Sequence, residues 1–190
     1  MSIVYIEDVG DFKIDRATKL LAGIRGGVYR AVGSALKRAA QHGKTIGIRL
    51  AAEQYTASQG EFRSRTTDIN PTGGGGGGSY SVTFGYRGSV LPLMSFDTGV
   101  GKNGGVSARV LRSSGRKSVD HAFRASMGGN NGIYIRVGST RFPVKGLYGP
   151  SAVQAFTAHE ENIEKMEKAV KEKYDERIEH EILRVLNGWG

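Results

Sequence analysis

The chain has 190 residues, a formal net charge of +9, 38% hydrophobic residues, 29 glycines and no cysteine. This length suits one domain with its own core, and the low apolar share with many glycines predicts a modest core and long excursions. Disulfides and thiolate metal sites are excluded, and no apolar run approaches the roughly 20 residues that span a bilayer.

The first ten residues lack the basic start and apolar run of a secretory leader, and within them Ile3 to Ile6 reads as a short strand. A long helix is expected from about Asp15, its N-cap, to Tyr55, with a kink at Gly43. Leu20, Leu21, Ile24, Val28, Val32, Leu36 and Ala39 share one face at helical spacing. The pattern resumes at Ile46, Leu50 and Ala51. Gly23, Gly26, Gly27 and Gly33 each weaken such a helix, and together suggest close approach by a neighbouring backbone. Ser58 to Asn70 reads as strand or loop. Pro71 and the run Gly73 to Gly78 predict a flexible loop tip near 71–79, since six glycines carry high backbone entropy and no side chains to bury.

Tyr80, Val82, Phe84 and Tyr86 alternate and predict a strand. Leu91 to Phe96 is a second apolar segment, Gly99 to Gly105 a loop, Val106 to Leu111 another strand and Arg112 to Lys117 a basic turn. Ser118 is read as capping a short helix through Met127. A Gly-Asn turn at Gly128 to Gly132 leads to a strand at Ile133 to Val137, a turn at Gly138-Ser139 and a short strand from Arg141 to Val144. The final helix, 151–187, opens with Ser151 as N-cap. Its apolar stripe is Phe156, Ile163, Met166, Val170, Tyr174, Ile178, Ile182 and Leu186. The order predicts an α+β fold: one domain over 1–190, with an antiparallel sheet of about four strands packed against two long helices and a glycine-rich loop.

Chemistry-bearing motifs are weak. Gly99-Val100-Gly101-Lys102-Asn103-Gly104 fits a dinucleotide fingerprint, but a strand-like segment follows where a helix is required. The histidines are scattered, and His159-Glu160 has no second histidine at zincin spacing. Neither a nucleophile–base pair nor a metal-ligand cluster is evident, so no catalytic residue, cofactor site or metal site is expected. From Val153 onward there are nine acidic and six basic residues, against nine and twenty-one in the rest. This reads as a basic body with an acidic arm, which is either a solvated face or an arm docking on a basic patch of a neighbour. Arg109, Arg112, Arg116, Lys117 and Arg124 concentrate positive charge as a candidate DNA-facing or inter-subunit patch. Phe123 is the one stacking aromatic in that stretch, which argues against sequence-specific single-strand binding and leaves contact with the duplex backbone.

Three blocks carry a resemblance. The first is Phe123-Arg124-Ala125 with Met127, the second Gly132, Tyr134, Arg136 and Gly138 at alternate positions. The third is Arg141, Pro143, Val144 and Leu147-Tyr148-Gly149-Pro150-Ser151. Weaker blocks run from Arg38 through Gly43 to Leu50, and from Gly88 through Leu91-Pro92-Leu93-Met94 to Phe96. In this order they resemble the prophage minor tail protein Z family of long-tailed bacteriophages. The glycine tract after Pro71 has no place in that pattern. The resemblance implies a tail-completion component of the virion, made in the host cytoplasm and standing at the head-proximal end of the tail. It implies a homo-oligomeric ring, a hexamer by analogy with the tail tube, with DNA passing through its lumen. Its neighbours would be the tail terminator, the tail tube or the head connector, and no membrane is involved. The alternative is a basic nucleic-acid-binding module that grips duplex DNA by its backbone.

Overall fold

The computed structural model describes residues 2–6, 11–73, 80–102 and 104–189. Along the chain it runs β1 (Ser2–Ile6), α1 (Asp11–Leu21), α2 (Gly27–Gln54), α3 (Gln59–Ser64), β2 (Asn70–Gly73), β3 (Tyr80–Tyr86) and β4 (Val90–Pro92). A 3-10 turn (Leu93–Ser95) precedes β5 (Asp97–Val100), β6 (Val106–Arg109), β7 (Lys117–Val119), β8 (Ala122–Met127), β9 (Asn130–Arg136), β10 (Val144–Gly146) and β11 (Tyr148–Ser151). Two helices close the chain, α4 (Ala152–Thr157) and α5 (Glu160–Leu186). The class is α+β, with two long helices. Among the described residues the strands form not one sheet but four small antiparallel ones, ordered β1-β3-β2, β10-β9-β8, β11-β4 and β5-β6-β7. The glycine tract lies outside the described residues from Gly74 on. No helix among them is long and apolar enough to cross a membrane.

The chain divides into two compact units, one of Met1–Gly47, Thr66–Tyr86 and His159–Gly190, the other of Ile48–Arg65 and Arg87–Ala158. In the first unit, Met166, Val170, Tyr174, Ile178 and Ile182 of α5 are buried in a row at four-residue spacing. Val32, Ala35, Leu36, Ala39 and Ala40 of α2 are buried as well, and Gly43 of α2 lies against Val170 and Met166. Lys13 pairs with Asp175 and Arg16 with Glu179 at 3.3 Å, so α1 runs parallel to α5. Arg38 reaches Glu181 at 2.9 Å while Gly43 faces Val170 and Met166, so α2 runs antiparallel to it. Three acids of the supposed arm thus already have basic partners on α1 and α2. Glu181 is fully buried, with Arg38, Arg177 (3.3 Å) and Arg184 (3.1 Å) around it.

In the second unit, the end of α2 is held by Arg112, whose backbone N–H donates to Gln54 O (2.8 Å) and whose Nε donates to Ala52 O (2.9 Å). Both are carbonyls that a helix terminus leaves without an internal partner. Thr56 links that end to β5 and β6: its N–H donates to Val110 O at 2.9 Å, and its hydroxyl accepts from Asp97 N at 3.0 Å. Leu147 ties β9 to the 3-10 turn, donating to Ile133 O (2.8 Å) and accepting from Leu93 N (2.9 Å).

Several local expectations are corrected. The single helix from Asp15 to Tyr55 is two helices, since Gly26 (φ 67°) supports a turn between Leu21 and Gly27. Asp15 is inside α1 rather than its cap. Helix α2 continues through Gly43 without ending, and it is Gly43, not Gly23, Gly26 or Gly33, that a neighbouring element closely approaches. Leu20, placed on the apolar face, is exposed. Ser58 caps α3 by accepting from Glu61 N, in a stretch read as strand or loop.

The expected helix over Ser118 to Met127 is instead the end of β7 and the whole of β8, joined by a turn at Asp120-His121. Gly128 (φ 58°) and Gly129 (φ 82°) form a two-residue turn between Met127 and Asn130, and the ladder from Met127↔Asn130 to Ala122↔Ile135 outweighs helical propensity. The short strand expected from Arg141 begins only at Val144. Ser151 is an N-cap, but of the short α4, in a full capping box with Gln154 (3.1 and 2.9 Å). The last helix starts afresh at Glu160. Along its stripe Leu186 is exposed, and Asn162 is buried one turn before Met166.

Candidate functional site

Net charge is segregated between the units. The second unit carries thirteen basic and four acidic residues, the first fourteen of each, so the entire +9 belongs to the second unit. All five residues of the expected basic patch lie there. Two of them converge on one carboxylate: Arg109 bonds Asp97 Oδ2 (3.1 Å) and Arg116 bonds Asp97 Oδ1, side by side on the β5-β6-β7 sheet. Gly99 makes room for the Arg116 guanidinium. Arg112 is committed to α2 through Ala52 O. Lys117, on β7, stands at an open, mainly apolar cleft of about 440 Å³ lined by Tyr55, Leu93, Ala108, Val110, Leu111 and Val119. Arg124 projects from β8, exposed.

The glycine fingerprint is a hairpin connection. Gly99 lies within β5 opposite Ser107, Gly101 N donates to Gly105 O (2.8 Å), and β6 follows rather than a helix. Among the described residues no group of three or more His, Cys, Asp or Glu side chains could hold a metal.

The motif residues fall around one sheet, β8-β9-β10, and its continuation into β11. Its register pairs Phe123 with Tyr134, Tyr134 with Gly146 and Arg136 with Val144. Phe123, Tyr134 and Arg136 therefore share one face. The Arg136 guanidinium stands 5.5 Å from the centre of the Phe123 ring, whose own neighbour is Tyr134, at 6.4 Å between ring centroids. Tyr148 joins them from the start of β11. A β-carbon on Gly146 would lie 3.2–3.4 Å from Oη, Cε2 and Cζ of Tyr148, and one on Gly132 would lie 3.0 Å from the same three atoms of Tyr134. These atoms are the hydroxyl end of each side chain, so each glycine lies against the tip of a tyrosine two residues further along the chain. A side chain on either glycine would press on that hydroxyl end. Tyr148 is 59% exposed, while Phe123 and Tyr134 are half-buried.

The connection from β9 to β10 ends this sheet with apolar residues in solvent. Val137 is 64% and Phe142 60% exposed, and Arg141 stands 5.7 Å from the Phe142 ring centre. Pro143 O accepts from Val137 N (3.1 Å), closing the loop. Gly149 serves packing: a β-carbon there would overlap the Phe96 ring. Pro150 follows it in β11, half-buried. Sequence reasoning missed the aromatic face because it placed Phe123 on a helix. The alternation of Ala122, Arg124 and Ser126 with Phe123, Ala125 and Met127, followed by Gly128-Gly129, was the signal for a hairpin. No family model, curated protein or solved structure matches the chain.

Proposed function

We propose that the protein is a tail-completion component of a long-tailed phage particle, assembling as a ring, a hexamer by analogy, at the head-proximal end of the tail. Its neighbours are the tail terminator, tail tube or head connector, and DNA passes through its lumen. The resemblance in Phe123 to Ser151 supplies the identity. The observation that supports an assembly role is the loop between β9 and β10, where Val137 and Phe142 stand in solvent at 64% and 60% exposure. Side chains of this kind, held on a closed loop, suit burial against another chain.

Light scattering and negative-stain microscopy of the purified protein test the ring, which is expected for the wild type and is lost in Phe142→Asp. A wild type that stays monomeric at high concentration sinks the ring reading. Deleting the gene from its phage is expected to leave tails and filled heads unjoined. Normally joined particles would overturn the completion role.

The segregated charge favours a second reading, a module that holds duplex DNA by its backbone: Arg87–Ala158 carries ten basic residues against two acidic ones. A steep fall in duplex affinity with salt supports it, and a flat dependence removes it.

A further inference from the structure

We propose that the face of β8-β9-β10 formed by Phe123, Tyr134, Arg136 and Tyr148 is a stacking platform for single-stranded nucleic acid. This does not rest on the ring reading.

A platform of this kind needs flat π-surfaces at neighbouring positions, open on one side, and positive charge for the phosphates. Phe123, Tyr134 and Tyr148 supply the rings and Arg136 the charge. The Phe123 and Tyr134 rings are adjacent, at 6.4 Å between centroids, and Arg136 covers Phe123 at 5.5 Å. The hydroxyl ends of Tyr134 and Tyr148 lie against Gly132 and Gly146, positions where a β-carbon would meet them at 3.0 and 3.2 Å. A β-carbon there would be a tight contact that the tyrosines must yield to. Tyr148 is the most open of the three rings, at 59% exposure, while Phe123 and Tyr134 are half-buried. Asn130 stands on the same face at the hairpin end, exposed, with amide donors and acceptors that suit base edges.

Charge selects the occupant. The second unit holds the whole +9 of the chain, and Arg141 adds an exposed cation in the loop that follows β9. A polyanion is favoured over an acid-poor protein surface. Stacking selects among polyanions, because a duplex keeps its base faces inside the helix while a single strand offers them. Stacking tolerates any base, so binding without strict sequence preference is expected.

Fluorescence anisotropy with a labelled short oligothymidylate tests this on the intact wild-type protein. Two competitors separate the sources of affinity: an abasic strand of the same length and charge, and a duplex of the same length. The platform requires both to bind about tenfold or more weakly than the base-carrying strand. Tyr148→Ala is expected to weaken binding by about five- to hundredfold, while Tyr148→Phe keeps it near wild type. An abasic strand that binds equally well overturns the proposal, since backbone charge would then suffice. Equal binding of the duplex overturns it too. If no strand binds, and Tyr148→Ala instead changes the oligomeric mass, the face is a protein interface and the proposal fails. The ring reading keeps its own readout, because Tyr148→Ala should leave that mass unchanged if both proposals hold.

Discussion

Gly43 of α2 lies directly against Val170 of α5: a β-carbon on the glycine would overlap Val170 Cγ2, with Phe84 Cζ 3.4 Å and Met166 Cγ 3.6 Å away. The two helices and the β1-β3-β2 sheet of the first unit meet at this point. Helix propensity favours alanine over glycine here by about 1 kcal/mol. Packing opposes it, because the added carbon has no free volume and its neighbours are core side chains. Gly43→Ala is therefore expected to destabilise the protein by about 1–3 kcal/mol, measured by urea unfolding. The Gly43→Ala, Val170→Ala double variant should lose less than the sum of the two singles. Strict additivity would show that the contact is not the cause.

Glu181 is expected to be the most costly single charge to remove from α5. It is fully buried and faces Arg38, Arg177 and Arg184, each within 3.3 Å. Glu181→Ala leaves three guanidinium groups around an empty site and should cost about 3 kcal/mol. All three are partly exposed and can turn to water, which holds the loss at the lower end of the range for a broken buried pair. A chemical melt within about 0.5 kcal/mol of wild type would show that the arginines do not need this carboxylate.

Tyr174 predicts the alkaline behaviour. Burial is the main cause that pushes its hydroxyl up to about 12, with Asp175 and Tyr80 adding to the shift. Burial also raises Tyr86. An unfolded tyrosine titrates near 10, so above that pH the unfolded chain gives up protons that the folded chain keeps. The unfolded state then binds fewer protons, and stability falls as pH rises from about 10 to about 12. Below pH 10 the contribution is constant. Tyr174→Phe should flatten part of that fall. Among the described residues its buried hydroxyl has no hydrogen-bond partner, so at neutral pH the substitution should leave stability unchanged or raise it by up to about 1 kcal/mol. Thermal melts across the pH range check both parts, and a destabilised Tyr174→Phe at pH 7 contradicts the second.

Ser151 closes a capping box with Gln154 at the start of α4. Ser151→Ala should cost about 1 kcal/mol. The loss belongs to Ala152–Thr157, so amide exchange should speed up there while the interior of α5 is unaffected. Faster exchange spread along α5 would mean that Ser151 supports the long helix instead.

How much was legible in the sequence follows the range of the forces involved. Strands β1, β3, β6 and β9, the buried row of α5 and the cap at Ser151 were readable, because alternation, four-residue spacing and a Ser/Gln pair are local signals. The break at Gly23 to Gly27 was obscured by an apolar period that continues across it. The strand β8 was hidden for the opposite reason: six residues can satisfy a short helix or a strand equally, and the ladder to β9 decided between them. Composition gave the total charge, but only the division into units showed that it belongs to the second, since α5 is neutralised by α1 and α2 within the first. Asp97 holding Arg109 and Arg116, Arg38 reaching Glu181, and Phe123 beside Tyr134 depend on contacts between segments far apart or on neighbouring strands. The residue types were visible one by one. Their juxtaposition came from strand register and helix packing, which minimise exposed apolar area and unpaired backbone over the whole chain and leave no short-range trace.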